Sequence, residues 1–325
     1  MRAISCYGVI RDVAFEVPIA IVAFNRPEHV SKVIASLRVV RPTKVFAVLD
    51  GPRAGNDQDK DKCRSVRRVI DDIDWPCDVS VNTSSENMGC RDRFITGLDW
   101  VFSETDRALI LEDDCVPLPR FFSFAQQMLA RFADDQRVFG ITGTNVAGSW
   151  RQDEQDYHFS MYGSIWGWAT WRRAWVHYAD ATTLWQDQRA RRAIRDVLHS
   201  RVESWKRILV SDYACRPNCT TWDYQWTLAR LLNSGVMVVP SVNLVTNIGD
   251  DGSGTHRPAV TAPTMKPKLE CSRAPLLEND EVRDNPFVVS DSAYDRLVFR
   301  RHTRLQFSGL CRVFGYVARR IREKL

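Results

Sequence analysis

A short apolar run that ends in three carboxylates constrains this 325-residue chain more than any other feature. Ala108-Leu-Ile-Leu111 is followed at once by Glu112, Asp113 and Asp114, and Pro117 comes soon afterwards. Four apolar residues bounded by charge predict a buried strand, and a proline ends such a strand. We therefore expect the acids at the carboxyl end of a central strand, where open α/β sheets bind their ligands.

Three adjacent carboxylates repel one another. Partial burial and this repulsion raise their pKa values unless a cation is present. A hard divalent ion such as Mg²⁺ or Mn²⁺ removes that cost, and it prefers one or two carboxylates together with phosphate oxygens. The alternative is an acidic strand end that faces water. The three acids alone leave both interpretations open.

The stretches around the acids predict a mostly parallel α/β sheet. Apolar runs that alternate with helical patterns give βαβ units, whose strands are parallel with right-handed crossovers. Arg26 follows the first run and Asp50 follows the second, so both are expected at the same sheet edge as Glu112. Besides the acidic strand, the strands expected in this half lie at 18–24, 44–50, 78–82 and 138–142. The helices expected between them begin near residues 27, 57, 90 and 121.

No glycine-rich phosphate loop follows the first predicted strand. The sequence there contains neither a G-x-G-x-x-G fingerprint nor a Walker lysine loop. This excludes the dinucleotide fingerprint and the P-loop as modes of phosphate binding. Phosphate groups would have to be bound by a metal and by side chains.

Three tryptophans within six residues mark the second half of the chain, after a polar loop at 144–157. Trp166, Trp168 and Trp171 stand beside glycine and alanine. Small residues next to large rings can admit a sugar or a nucleobase, but tryptophan also fills protein cores. The segment therefore predicts either a substrate-binding face or a buried aromatic cluster.

A further acid opens a predicted helix. Asp223 follows Trp222, with Thr220 or Thr221 as the expected helix cap. An acid in the first turn of a helix is either a partner of the helix dipole or, in a cleft, a catalytic group. Both interpretations of Asp223 stay open on this pattern alone.

The rest of the second half predicts charged helix, a strand pair and a loop. Residues 180–210 are rich in charge and predict solvent-facing helix. Two apolar runs, at 236–240 and 242–245, predict a pair of strands. The glycine-rich run at 249–256 predicts a flexible lid.

The order of these features resembles that of metal-dependent GT-A glycosyltransferases. The resemblance spans about residues 18–256 and is strongest to family 2-type bacterial enzymes and to the N-acetylglucosaminyltransferase I group. It implies an α/β fold of GT-A, Rossmann-like type, with a mostly parallel sheet flanked by helices and a C-terminal helical appendage. It also implies one domain over 1–256, with a donor half at 18–143 and an acceptor half at 144–256. A surface segment and a C-terminal helix would follow at 257–325.

The same resemblance implies roles for individual residues. Asp223 is expected to be the catalytic base, and Asp114 is expected to bind the metal, with His256 as a late metal or phosphate ligand. The implied donor-binding residues are Arg26 and Arg91 near the diphosphate, Asp50 at the nucleotide base, Glu112 and Asp113 at the ribose and sugar, and Trp166.

The implied activity is transfer of one sugar, with inversion, from a nucleotide-diphosphate sugar to a hydroxyl of a glycan or lipid-linked acceptor. A UDP-sugar donor, Mn²⁺ or Mg²⁺ as cofactor, and bacterial surface polysaccharide synthesis are the expected setting. Processive enzymes of family 2 carry Q-x-x-R-W, whereas here only Gln225-Trp226 stands near Asp223, which favours single transfer. A nucleotidyltransferase, or a non-catalytic nucleotide- or sugar-binding protein, is the alternative.

The composition predicts a cytoplasmic protein without a membrane span. Nine cysteines lack metal-site spacing, which favours reduced thiols. No signal peptide is recognisable at the start, and no run approaches the roughly 18 apolar residues of a membrane span.

The last 20 residues combine an apolar stripe with basic residues. This pattern predicts either peripheral contact with an anionic membrane on its inner face or a helix docked on its own domain. Nucleic acid is not an expected partner, because the rest of the chain shows no basic and aromatic recognition stripe. The apolar stripe consists of Leu310, Phe314, Val317, Ile321 and Leu325.

Overall fold

The computed structural model describes residues 15–198, 200–249 and 281–301. Over these residues the fold is α/β, with an eight-stranded, mostly parallel sheet and helices on both of its faces. The fold class predicted from the sequence is confirmed. His256 and the stripe at 310–325 lie outside the described residues, as does all but the first residue of the predicted lid.

The elements alternate regularly in the first half of the chain. The strands are β1 Ile19–Ala23, β2 Lys44–Leu49, β3 Asp78–Thr83, β4 Arg107–Glu112, β5 Cys115–Pro117, β6 Val138–Thr142, β7 Tyr157–Ser160, β8 Trp168–Trp171, β9 Val236–Pro240 and β10 Val245–Asn247. The helices are α1 Pro27–Leu37, α2 Asp57–Asp71, α3 Gly89–Glu104, α4 Pro119–Arg131, α5 Arg172–Trp175, α6 His177–Leu184, α7 Gln188–Val197, α8 Arg201–Ala214, α9 Asp223–Leu232 and α10 at 292–301.

The main sheet has the strand order β3-β2-β1-β4-β8-β6-β9-β7. Its first four strands are parallel, which is the result of successive right-handed βαβ crossovers. β8 interrupts this pattern, because it runs antiparallel to both β4 and β6. β5 and β10 form a separate antiparallel pair beside the carboxyl end of β4.

Side-chain alternation along β4 builds the two faces of the sheet. Leu109 and Leu111 join the core beneath α1, α2 and α4, whereas Ala108 and Ile110 join the core beneath α3 and α5–α9. Successive side chains of a strand point to opposite faces. Glu112, the next residue after Leu111, therefore continues the face that α3 and α9 cover.

The tryptophan-rich segment is mostly core. Trp168 and Trp171 lie in β8 and are buried, and Trp168 packs among Trp175, Trp222 and Trp226. Of the two interpretations of this segment, the buried aromatic cluster describes these two residues.

Two local predictions from the second half were wrong. The runs at 236–240 and 242–245 are not a strand pair, because β9 pairs with β6 and β7 whereas the next strand, β10, pairs with β5. The charged stretch at 180–210 is mostly helical, as predicted, and forms α7 and parts of α6 and α8. The side chains of Asp187 and Ser200 cap the first turns of α7 and α8. The predicted helix cap at Thr220 or Thr221 was also wrong, because Trp222 occupies the N-cap position of α9 and makes no side-chain cap.

Residues 281–301 return to the main domain. Val282 is buried in the core beneath α4, and Tyr294 and Val298 of α10 form a small core with Met237 and Val239 of β9. Within the described ranges, no helix has the length and apolar character needed to cross a membrane.

Candidate active site

The carboxyl ends of β1, β2 and β4 bring the predicted polar residues to one edge of the sheet. Val22 of β1 pairs with Glu112 of β4, and Ala23 pairs with Leu49 of β2, so the three strands end side by side. Arg26 begins the turn into α1, and Asp50 is the first residue after β2. Both predictions of position are therefore met by the register of the sheet.

Arg26 joins this turn to the acids that follow β4. Its Nε donates to Oδ2 of Asp113 at 3.1 Å, and its Nη2 donates to Oδ1 of Asp113 and, at 3.1 Å, to Oδ2 of Asp114. The remaining nitrogen, Nη1, is buried and has no hydrogen-bond partner among the described residues. A buried guanidinium nitrogen without an acceptor is costly, which makes this position a site for an anion.

Glu112 and Asp223 approach each other across the same face of the sheet. Burial first, and then the negative charges of Asp114, Asp113 and Asp223, raise the pKa of Glu112 to about 8, although the residue keeps part of its surface exposed. No hydrogen bond to the Glu112 carboxylate comes from the part of the chain that the structure describes. Asp223, the first residue of α9, is thus brought to the acidic edge by the fold.

Asp114 is held from the side of β10. Its Oδ1 accepts a hydrogen bond from Nδ2 of Asn247 at 3.1 Å, and its carbonyl accepts from the backbone N–H of Ile248 at 2.8 Å. Gly249 passes so close that an added Cβ would lie 2.3 Å from Oδ2 of Asp114. The segment after β10 therefore lies directly against the carboxylate that was predicted to bind a metal.

The carboxylates that follow β4 could hold a divalent cation only together with phosphate oxygens. Within residues 15–198, 200–249 and 281–301, no three His, Cys, Asp or Glu side chains are grouped so that they could hold a metal by themselves. Carboxylates nevertheless outnumber the arginine that bridges Asp113 and Asp114, and after burial their negative charges are the next cause of the raised pKa of Glu112. Mg²⁺ and Mn²⁺ are commonly bound by one or two carboxylates plus substrate phosphates and water.

Asp50 already has a full set of hydrogen-bond donors. Its Oδ1 accepts from the backbone N–H groups of Gly51 and Met88, both at 2.9 Å. Its Oδ2 accepts from Nδ2 of Asn87 at 2.9 Å and from the N–H of Gly89 at 3.2 Å. A carboxylate has about four acceptor positions. A nucleotide base bound by Asp50 must therefore displace one of these donors.

Arg91 contacts the segment that leads to α9. Its Nη1 donates to the carbonyl oxygens of Cys219 at 3.0 Å and of Pro217 at 3.4 Å. Its Nε is buried without a hydrogen-bond partner among the described residues and lies 3.9 Å from Oδ1 of Asp92. In this conformation Arg91 holds the loop before Asp223, and its predicted contact with a pyrophosphate stays a prediction.

Trp166 differs from the other tryptophans of its segment because it is only half-buried. Its carbonyl accepts a hydrogen bond from Oγ1 of Thr144 at 2.9 Å. Gly167 follows with a φ of +62°, a conformation that favours glycine, and this turn separates Trp166 from the buried strand β8. Its predicted role in donor binding stays open.

A polar network beside the carboxyl ends of β1 and β2 was not predicted from the sequence. Asp59, buried in the first turn of α2, accepts from Nδ2 of Asn25 at 2.8 Å and from Nη2 of Arg53 at 2.9 Å. The same guanidinium lies over the ring of Phe24, 5.6 Å from its centroid. Asp59 stands among many charged residues of α2, so no sequence signal distinguished it. Asn247 likewise stands in no motif.

Comparisons with known proteins assign no family to the chain. No protein-family model matches it, and no curated protein matches it. A crystal structure of UDP-glucose pyrophosphorylase complexed with UDP-glucose is similar at 7% identity with a TM-score of 0.35, over 71% of this chain and 92% of that one. A mannosyltransferase from Pyrobaculum calidifontis in complex with GDP-Man and Mn²⁺ is similar at 13% identity with a TM-score of 0.33, over 67% and 73%. At these scores neither similarity assigns an activity.

Proposed function

We propose that this chain is a metal-dependent, inverting GT-A glycosyltransferase that moves one sugar from a nucleotide-diphosphate sugar to an acceptor hydroxyl. The observation that carries the proposal is the meeting of Glu112, Asp113, Asp114 and Asp223 at one sheet edge, beside a buried Arg26 nitrogen that lacks an acceptor. This edge offers both a site for an anion and an excess of carboxylates, as a diphosphate with its cation requires.

The donor diphosphate would bind beside Arg26. Nη1 of Arg26 has its hydrogen-bonding capacity free toward an anion, while Nε and Nη2 stay fixed to Asp113 and Asp114. Asp114 would hold the Mn²⁺ or Mg²⁺ ion, with phosphate oxygens as further ligands, and such an ion stabilises the charge of a departing diphosphate. Glu112 and Asp113 border the space next to it, where the ribose and the sugar would lie.

Asp223 would act as the general base. It is the first residue of α9, and its negative charge acts on Glu112, which supports a position at the acidic edge. In the proposed reaction its carboxylate takes the proton of the acceptor hydroxyl as the oxygen attacks the anomeric carbon. The nucleoside diphosphate leaves from the opposite side, so a single displacement inverts the configuration.

The proposal also covers the donor, the acceptor and the pathway. A UDP-sugar as donor, a glycan or lipid-linked acceptor, and bacterial surface polysaccharide synthesis in the cytoplasm are the context that the resemblance implies. The alternative of a nucleotidyltransferase differs in its product, because that class of enzyme releases pyrophosphate.

The product of turnover tests this proposal. The protein is incubated with nucleotide sugars, Mn²⁺ and a panel of glycan and lipid-linked acceptors, and the released phosphate compounds are identified. We expect nucleoside diphosphate that appears only with an acceptor and an inverted linkage in the product. Release of pyrophosphate with a nucleoside triphosphate and a sugar phosphate would assign the site to nucleotidyl transfer instead.

A further inference from the structure

Helix α8 presents an apolar stripe to solvent. Val202, Trp205, Leu209 and Tyr213 are 57%, 61%, 48% and 46% exposed. Their spacing of three, four and four residues places them on one face of the 14-residue helix. Single exposed apolar residues are normal on a protein surface, but a contiguous stripe marks an interaction site.

The buried face of α8 is made of small residues. Ser204, Ser211 and Ala214 are the buried positions, and the helix packs with this face on α7 and α9. A surface helix ordinarily turns its large apolar residues toward the core and its polar residues toward water. Ile208 of α8 packs against the core, but the four residues of the stripe face outward, so packing within the domain does not explain them.

The surroundings of the stripe are basic. Arg201 at the start of α8 and Arg216 just after its end are exposed, as are Arg192 and Arg195 of the neighbouring α7. Residues 186–216 contain eight Lys or Arg and four Asp or Glu. An apolar stripe with flanking cations complements a surface that combines hydrocarbon with negative charge.

We propose that the α8 stripe docks on an anionic lipid surface. Trp and Tyr suit the boundary between headgroups and hydrocarbon, because each has an apolar ring and a polar atom at its edge. Charge disfavours two other occupants. A second copy would bring one basic surface against another. Residues 302–325 carry six Arg or Lys against one Glu, so as an occupant they too would bring positive charge against the basic surroundings of the stripe. This assignment is independent of the proposed activity, because lipid binding can be measured without turnover.

The position of α8 has a consequence for the proposed activity. α8 packs on α9, and Asp223 is the first residue of α9. A membrane beneath α8 would therefore lie on the same face of the main sheet as α9. A lipid-linked acceptor fits that arrangement.

Co-sedimentation with vesicles tests the proposal. The full chain and a variant that combines Trp205→Ser with Leu209→Ser are mixed with vesicles of phosphatidylcholine alone or with added phosphatidylglycerol. A matched control combines Phe287→Ser with Val289→Ser, because both residues are exposed but lie outside α8. We expect the wild type and the control to bind the phosphatidylglycerol vesicles, and the α8 variant to lose at least about tenfold in partitioning, since it loses two inserted side chains.

Several outcomes would overturn the proposal. They are absence of vesicle binding by the wild type, equal binding to phosphatidylcholine alone, and undiminished binding by the α8 variant. Light scattering measures whether a second copy of the chain occupies the stripe. A wild-type dimer that the α8 substitutions dissociate would assign the stripe to self-association. The unfolding midpoints of the variants should match the wild type, because exposed side chains are replaced.

Discussion

The carboxylate of Asp50 accepts a hydrogen bond from the backbone N–H of Met88, at 2.9 Å, and so joins the end of β2 to the start of α3. The N–H of Gly89 adds a second bond to the same side chain. An acid at a helix N-terminus satisfies N–H groups that have no partner within the helix. Asp50 therefore organises the loop between β3 and α3 even before any ligand is considered.

Replacement of Asp50 by asparagine should destabilise the fold. One oxygen acceptor becomes an NH₂ donor that faces backbone N–H groups, and the charge that strengthens the remaining bonds is lost. We expect a loss of about 2 kcal/mol in the free energy of unfolding, measured by urea denaturation. Asp92→Asn, an exposed acid in the same first turn of α3, is the matched control. Unchanged stability of Asp50→Asn together with weaker nucleotide binding would identify Asp50 as a ligand of the base alone.

Asp223→Asn should remove turnover and leave donor binding intact. General-base assistance contributes about 10²–10⁴ in rate, so kcat should fall by that factor while the calorimetric affinity for the donor stays unchanged. Asp180→Asn replaces an exposed acid in the first turn of α6 and controls for the helix-dipole effect. Equal losses of activity in the two variants would remove the role of Asp223 as a base.

Gly249→Ala should disturb the Asp114 carboxylate. The new Cβ would lie 2.3 Å from Oδ2 of Asp114, so the carboxylate or the segment after Asn247 must move. We expect the metal-dependent part of nucleotide binding to weaken at least about tenfold, or 1.4 kcal/mol. Nucleotide binding without a metal and the unfolding midpoint should change little. Full metal-dependent affinity in Gly249→Ala would show that this close contact is not needed for the site.

His158 should make the fold sensitive to acid. Burial lowers the pKa of His158 from 6.5 to about 4, and its two ring nitrogens have no hydrogen-bond partner among the described residues. Because the unfolded chain takes up the proton first, the contribution of His158 to stability is complete above pH 6.5 and is lost as the pH falls through 4. The total change is about 3 kcal/mol.

His158→Phe tests this pH dependence without removing a hydrogen bond. We expect the variant to lose less stability than the wild type between pH 6.5 and 4, as measured by urea unfolding at several pH values. Parallel pH profiles for the two proteins would contradict the assignment of the acid sensitivity to His158.

Local sequence patterns predicted the sheet edge at which Arg26, Asp50 and Glu112 lie. The run from Ala108 ends at Glu112 in the structure. β1 ends three residues before Arg26 and β2 ends one residue before Asp50, as their apolar runs indicate. Parallel βαβ units then fix which ends meet. These features depend on neighbouring residues, so they can be inferred from the chain itself.

Contacts between distant residues could not be predicted in this way. The pairing of β10 with β5 joins residues that are about 130 positions apart, and it alone brings Asn247 to Asp114. The position of β8 between β4 and β6 also depends on distant partners, and a four-residue apolar run has no period that separates a core strand from a binding face. The same reason explains why the strand pair at 236–245 was wrong.

The metal-dependent binding of nucleotides tests the central claim most directly. The wild type, Asp114→Asn and the exposed-acid control Asp134→Asn are titrated in a thermal-shift assay with UDP, GDP, CDP and dTDP, each with and without Mn²⁺. We expect one nucleotide to raise the unfolding midpoint of the wild type and of the control only when Mn²⁺ is present, and we expect Asp114→Asn to lose that shift. The absence of a shift with any nucleotide, or an undiminished Mn²⁺-dependent shift in Asp114→Asn, would contradict a nucleotide-sugar site at this sheet edge.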